Sequence, residues 1–67
     1  MKNIVKYLRR SQEFDMTQQD LAKKIGVTKV TVSAIENGSN TSGEIILKIS
    51  KVFNKDPREI FFIEDVN

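Results

Sequence analysis

Residues 17–38 read TQQDLAKKIGVTKVTVSAIENG, and the spacing inside this stretch decides the fold. Thr17 precedes a run in which Leu21, Ala22 and Ile25 share one helical face. Its hydroxyl is placed to accept from the backbone N–H of Asp20, and the Asp20 carboxylate can reach back, the capping-box pattern that opens a helix. Gly26 ends that helix where the chain needs a left-handed residue. Thr28 caps a second helix that runs to about Asn37, with Val32 and Ile35 as its buried face, and Gly38 closes it. Each run is too short to be stable alone in water, so the two must pack on one another. Two short helices joined by a tight turn containing glycine form a helix-turn-helix. Ala22 must then be small, because the second helix crosses close above it. The outward positions of the second helix are Lys29, Val30, Thr31, Ser33 and Ala34. All are short or cationic and none is acidic. Such a face can enter a major groove about 12 Å wide without repelling phosphate.

Working outward, Ile4, Val5 and Leu8 begin an apolar face on a first helix expected from Ile4 to about Glu13, with Phe14 and Met16 following as core plugs. The polar turn SNTSG, residues 39–43, offers Ser42 as a cap. Ile45, Ile46, Ile49, Val52 and Phe53 then make the strongest helical stripe in the chain. Asp56, Pro57 and Glu59 supply an N-cap, a first-turn proline and a capping box for a short last helix. The tail Glu64–Asn67 is expected to fray. These runs predict five short helices, an all-α fold in one domain over residues 1–67, with the helix-turn-helix proper at 17–38.

Composition narrows the function. The 67-residue chain carries 11 basic and 9 acidic side chains, a net +2. Residues 1–38 hold seven basic against four acidic groups, a net +3, while residues 39–67 hold four against five, a net −1. A basic excess on the helix-turn-helix half permits nucleic-acid binding without establishing it. The chain has no cysteine and no histidine, which leaves no zinc or redox ligand set and fits a reducing compartment. No apolar run reaches the roughly 18 residues of a membrane span, and residues 1–12 lack a signal-peptide pattern. A cytoplasmic, nucleoid-associated protein is expected. Ser11, Ser33 and Ser42 have no base arranged around them, so nucleophilic catalysis has no support. No enzyme activity, cofactor, metal or small-molecule ligand is predicted.

The stretch from Gln18 to Asn37 resembles the helix-turn-helix of the phage repressor and Cro family, also called the xenobiotic-response-element family. The matching pieces are TQQDLA, IGVT and VSAIENG, and the likeness continues through LKISKVF and PREIFF, nearly the whole chain. The resemblance implies a five-helix DNA-binding domain of the lambda-repressor type. It places Gln18, Asn37 and Asn40 on DNA phosphates. It places Thr28, Lys29, Val30, Ser33 and Ala34 at groove-facing positions, with Lys29 suited to guanine O6 and N7 and Val30 to a thymine methyl. An arginine contact is also usual near the end of the first helix. The segment RRSQEFDM is longer than the usual one, so that role stays open between Arg9 and Arg10. Thr41, Gly43, Ile46 and Lys55 depart from the family's usual residues, in the loops and the fourth helix. Glu36, the acid at the end of the second helix of the motif, is expected to pair with an arginine of the first helix.

Ile60, Phe61, Phe62 and Ile63 are four consecutive large apolar residues. One face of them can close a small core, and a second copy of the chain is the simplest cover for the rest. The expected homodimer would set two reading helices about 34 Å apart, on adjacent major grooves of one duplex. The reading is a sequence-specific regulator of transcription acting as a repressor on an inverted-repeat operator. The alternative is an antitoxin or adaptor whose main partner is another protein.

Overall fold

The structure, a computed structural model, describes residues 1–63; the fraying expected of the tail lies outside the described residues. In chain order the elements are β1 (Lys2–Asn3), α1 (Val5–Arg10), α2 (Gln18–Ile25), α3 (Lys29–Glu36), α4 (Gly43–Phe53), α5 (Pro57–Ile60) and β2 (Phe61–Phe62). The five helices are those expected. Each start after the first has its cap. Thr17 Oγ1 accepts from Asp20 N at 3.0 Å while Thr17 N donates to the Asp20 carboxylate at 3.0 Å. Thr28 and Ser42 Oγ accept from Thr31 N and Ile45 N, both at 3.2 Å. Asp56 accepts from Arg58 N, Asp56 N donates to the Glu59 carboxylate, and Pro57 takes the first turn. Gly26 stands at φ 74° and Gly38 at φ 101°, the left-handed conformations that the two ends of the motif require.

Leu21, Ala22 and Ile25 of α2, Val32 and Ile35 of α3, and Ile49 and Phe53 of α4 meet Val5 and Leu8 of α1 in one buried cluster. Phe14 closes its side by setting its ring edge-to-face on Phe53, centroids 4.9 Å apart. The helix-turn-helix therefore rests on a core supplied mainly by α1 and α4, with its outer face free.

One expectation is corrected and two are made more specific. First, α1 stops at Arg10 rather than near Glu13. Ser11 is extended, its hydroxyl donates back to Leu8 O at 2.7 Å, and Phe14 N and Asp15 N both donate to Ser11 O. This turn, with Asp15 at φ 45°, brings Phe14 over the core. Second, the fold is all-α except for a two-stranded antiparallel ribbon. β1 pairs with β2 in the register Lys2 to Phe62 and Asn3 to Phe61, and Ile4 N donates to Ile60 O at 3.0 Å. Third, the IFFI segment is divided. Ile60 and Phe61 belong to the core of the chain itself, whereas Phe62 is 40% and Ile63 is 85% exposed. The ribbon parts Phe61 from Phe62, because adjacent strand residues point to opposite faces; Ile60 is buried as the last residue of α5, and Ile63 lies past the end of β2.

Candidate nucleic-acid interface

The outer face of the motif begins with packing. Burying Val32 and Ile35 of α3 against α2 fixes which side of α3 looks outward. Lys29, Val30, Ser33 and Ala34 occupy that side, and Val30 is 77% exposed. With Gln18 at the start of α2 and Asn37 at the end of α3, these four line one shallow concavity of about 450 Å³. Six of the eight residues that the sequence nominated for DNA thus share one surface, and none of the six is acidic.

The other two lie apart from it. Thr28 caps α3, accepting from Thr31 N, and its hydroxyl also shares a 3.0 Å bond with the Thr31 hydroxyl. Asn40 lies in the loop after α3, where its Oδ1 accepts from the amino group of Met1 at 3.4 Å. That amino group also donates to Gly38 O.

A second hollow, of about 710 Å³, adjoins the first and shares Gln18 and Lys29 with it. Arg9, Arg10, Asp15, Met16, Thr17 and Gln19 complete its lining. Here the two arginines part company. Arg9 is turned inward: its Nε donates to Glu36 Oε2 at 2.7 Å, its Nη2 to Glu36 Oε1 at 3.2 Å, and its Nη1 to Met16 O at 2.8 Å. The side chains of Arg9 and Glu36 are only 7% and 3% exposed. This is the expected pairing of Glu36 with α1, and the fork geometry is the one at which guanidinium and carboxylate bind best. Arg10 remains exposed and faces the hollow. The sequence alone does not rank two adjacent arginines; their placement follows from where α1 ends.

One contact escaped the sequence reading altogether. Gln18 Nε2 donates to Glu36 Oε1 at 3.0 Å. The two residues lie 18 positions apart on different helices, and no local pattern links them. Asp20 differs in kind from these groups. Its carboxyl is held below its ordinary value of 3.8 by the backbone N–H and then the hydroxyl of Thr17, with smaller help from Lys23 and Lys24. It serves the α2 cap.

Comparison with known proteins also finds a helix-turn-helix. The helix-turn-helix family model matches residues 5–60, which runs from the start of α1 to the end of α5. The chain belongs to this helix-turn-helix family, of the phage repressor and Cro type. The family is not enzymatic. Relatives of this helix-turn-helix protein include an uncharacterized HTH-type transcriptional regulator of Methanocaldococcus jannaschii, 44% identical over 66 residues, covering 97% of each chain. YgzD of Bacillus subtilis, described in the same words, is 40% identical over 68 residues and covers both chains fully. A third such protein, from Archaeoglobus fulgidus, is 39% identical over 54 residues, 79% of this chain and 76% of its own. Among the described residues, no helix is long and apolar enough to cross a membrane.

Proposed function

We propose that this chain is a sequence-specific double-stranded DNA-binding regulator of transcription, a repressor that binds an inverted-repeat operator as a homodimer. It acts in the cytoplasm, on the nucleoid. The observation that carries the reading is the gathering of Gln18, Lys29, Val30, Ser33, Ala34 and Asn37 on one acid-free concavity of the helix-turn-helix. Its relatives' description as transcriptional regulators supports the same reading.

The division of labour follows from chemistry. Gln18 at the start of α2, Asn37 past the end of α3, and Arg10 beside the second hollow are donors suited to phosphate oxygens, and they set the register of the protein on the duplex. Lys29 reads guanine through O6 and N7. Val30 packs on a thymine methyl, Ser33 bonds a base edge, and Ala34 keeps the backbone close to the groove floor. Thr28 and Asn40 flank this set at the two ends of α3. Phe62 and Ile63 are the part of the IFFI segment exposed to a second copy of the chain, while Ile60 and Phe61 support it from within.

The test is selection of bound duplexes from a random pool at about 0.15 M salt, where sequence-independent phosphate binding is screened. An enriched inverted repeat with half-sites about one helical turn apart is the expected result. A folded protein that enriches nothing would remove the reading and leave the partner-protein alternative.

A further inference from the structure

Gln18, which lines the concavity that the proposed DNA contact uses, bonds a buried carboxylate, that of Glu36, and this inference rests on that proposed contact. An amide side chain has two chemically opposite ends, and only its N–H end can bind a phosphate oxygen. Nothing in Gln18 itself selects that end. Glu36 does, because an ionised carboxylate only accepts. Its Oε1 lies 3.0 Å from Gln18 Nε2. The carboxylate is held in turn by the two-pronged bond from Arg9, whose remaining nitrogen is tied to Met16 O. Gln18 is therefore the last member of a fixed chain that joins α1, α2 and α3. All buried side-chain polar atoms in the described residues have partners, so the network is complete on its inner side. On its outer side, the amide nitrogen of Gln18 keeps a second N–H, and Gln18 lines both hollows of the interface.

We infer that Glu36 is a positioning residue for DNA binding: it anchors the Gln18 amide by one N–H and so leaves the other as a fixed donor to a backbone phosphate. Two physical points make this more than packing. Arg9 neutralises Glu36, so an acid can lie under a DNA-facing surface without repelling the duplex. The side chain of Gln18 is also ordered before DNA arrives, which lowers the entropy lost on binding.

The inference opposes simple electrostatics in sign. Removing an acidic charge near DNA would by itself tighten binding, whereas releasing Gln18 weakens it. The experiment is a double-mutant cycle with Glu36→Gln and Gln18→Ala, read by fluorescence anisotropy on a labelled duplex carrying the sequence recovered from the random pool. Glu36→Gln also leaves Arg9 without its ionic partner and lowers stability, so binding is read well below the midpoint of each variant's thermal melt. Glu36→Gln is expected to weaken binding about five- to tenfold, the scale of one ordinary hydrogen bond, and to have no further effect once Gln18 is alanine. Equal weakening in both backgrounds, or tighter binding, overturns the inference.

A second measurement needs neither DNA nor a variant. In an ¹⁵N-labelled wild-type sample, the side-chain amide of Gln18 is expected to resonate apart from those of the exposed Gln12 and Gln19 and to exchange more slowly. Three indistinguishable amides would show that the anchor does not exist. This arm separates the two readings: a wild-type chain that binds no duplex removes the DNA-binding proposal, and the positioning role with it, even where the Gln18 amide proves anchored.

Discussion

Arg9 and Arg10 are chemically identical neighbours with opposite roles, and the difference lies in burial. Breaking a buried ion pair leaves Glu36 charged and unmatched, a loss of about 3–5 kcal/mol. In a domain with only about 60% of its unfolded surface buried, that is a large share of the total. Arg9→Ala is therefore expected to lower the urea midpoint strongly or to abolish folding. Arg10→Ala should leave the urea midpoint unchanged. It should instead weaken DNA binding for all sequences alike, and reduce the slope of log K against log salt by about one unit, as for a lost phosphate contact. The reverse ranking would refute the placement of the two arginines. Lys29 differs again, because the proposed reading gives it a base contact rather than a phosphate. Lys29→Ala is expected to relax preference at one base pair by about 1–3 kcal/mol. The measurement is competition between the selected duplex and variants of it changed at single positions. Uniform weakening across all of them would assign Lys29 to the phosphate backbone instead.

At the scale of the element, α2 depends on its cap. Thr17→Ala removes the acceptor for Asp20 N and is expected to destabilise the domain by about 1 kcal/mol, or about 4–8 °C in Tm at this chain length. The same cap gives a pH dependence whose sign is fixed. Asp20 has its folded pKa depressed by the Thr17 backbone and hydroxyl, and Asp56 by the side chain and then the backbone of Arg58. Each contributes stability that is complete above its ordinary value of 3.8 and is lost as pH falls through the lower folded value. Melting temperature should therefore decline below about pH 4, and Asp20→Asn should flatten part of that decline. These caps, like the stripe of α4, were legible in the sequence because a helix announces itself by periodicity and by its first three residues. The end of α1 was not. It depends on Ser11 turning back to Leu8 O and on Asp15 adopting a left-handed conformation, choices that follow from where Phe14 finds Phe53. The ribbon of β1 and β2 was illegible for another reason: strands of two residues have no period to read, and their pairing joins positions about sixty residues apart in sequence.

At the scale of the whole molecule, the ribbon joins the two ends of the described chain and in doing so parts Phe61 from Phe62. That Gln18, Lys29, Val30, Ser33, Ala34 and Asn37 share one surface was legible in the sequence, since each lies on one helix face or at a helix end. The Gln18–Glu36 bond and the division of the IFFI segment required the tertiary fold, because both depend on elements distant in sequence. That division yields a prediction that burial alone decides. Ile60 is fully buried, so Ile60→Ala should cost about 2–5 kcal/mol through lost burial and the cavity left behind. Ile63 is 85% exposed, so Ile63→Lys should leave the fold of a single chain intact. If Phe62 and Ile63 form the contact with a second copy, Ile63→Lys shifts sedimentation equilibrium toward the monomer. Binding to a full inverted repeat should then weaken far more than binding to an isolated half-site, because the second half-site no longer adds its effective concentration. Equal weakening on both duplexes would locate the effect in the DNA contact itself. An unchanged sedimentation profile would place the dimer interface elsewhere on the surface, with the exposed Leu47 of α4 and Tyr7 of α1 the next apolar side chains to substitute.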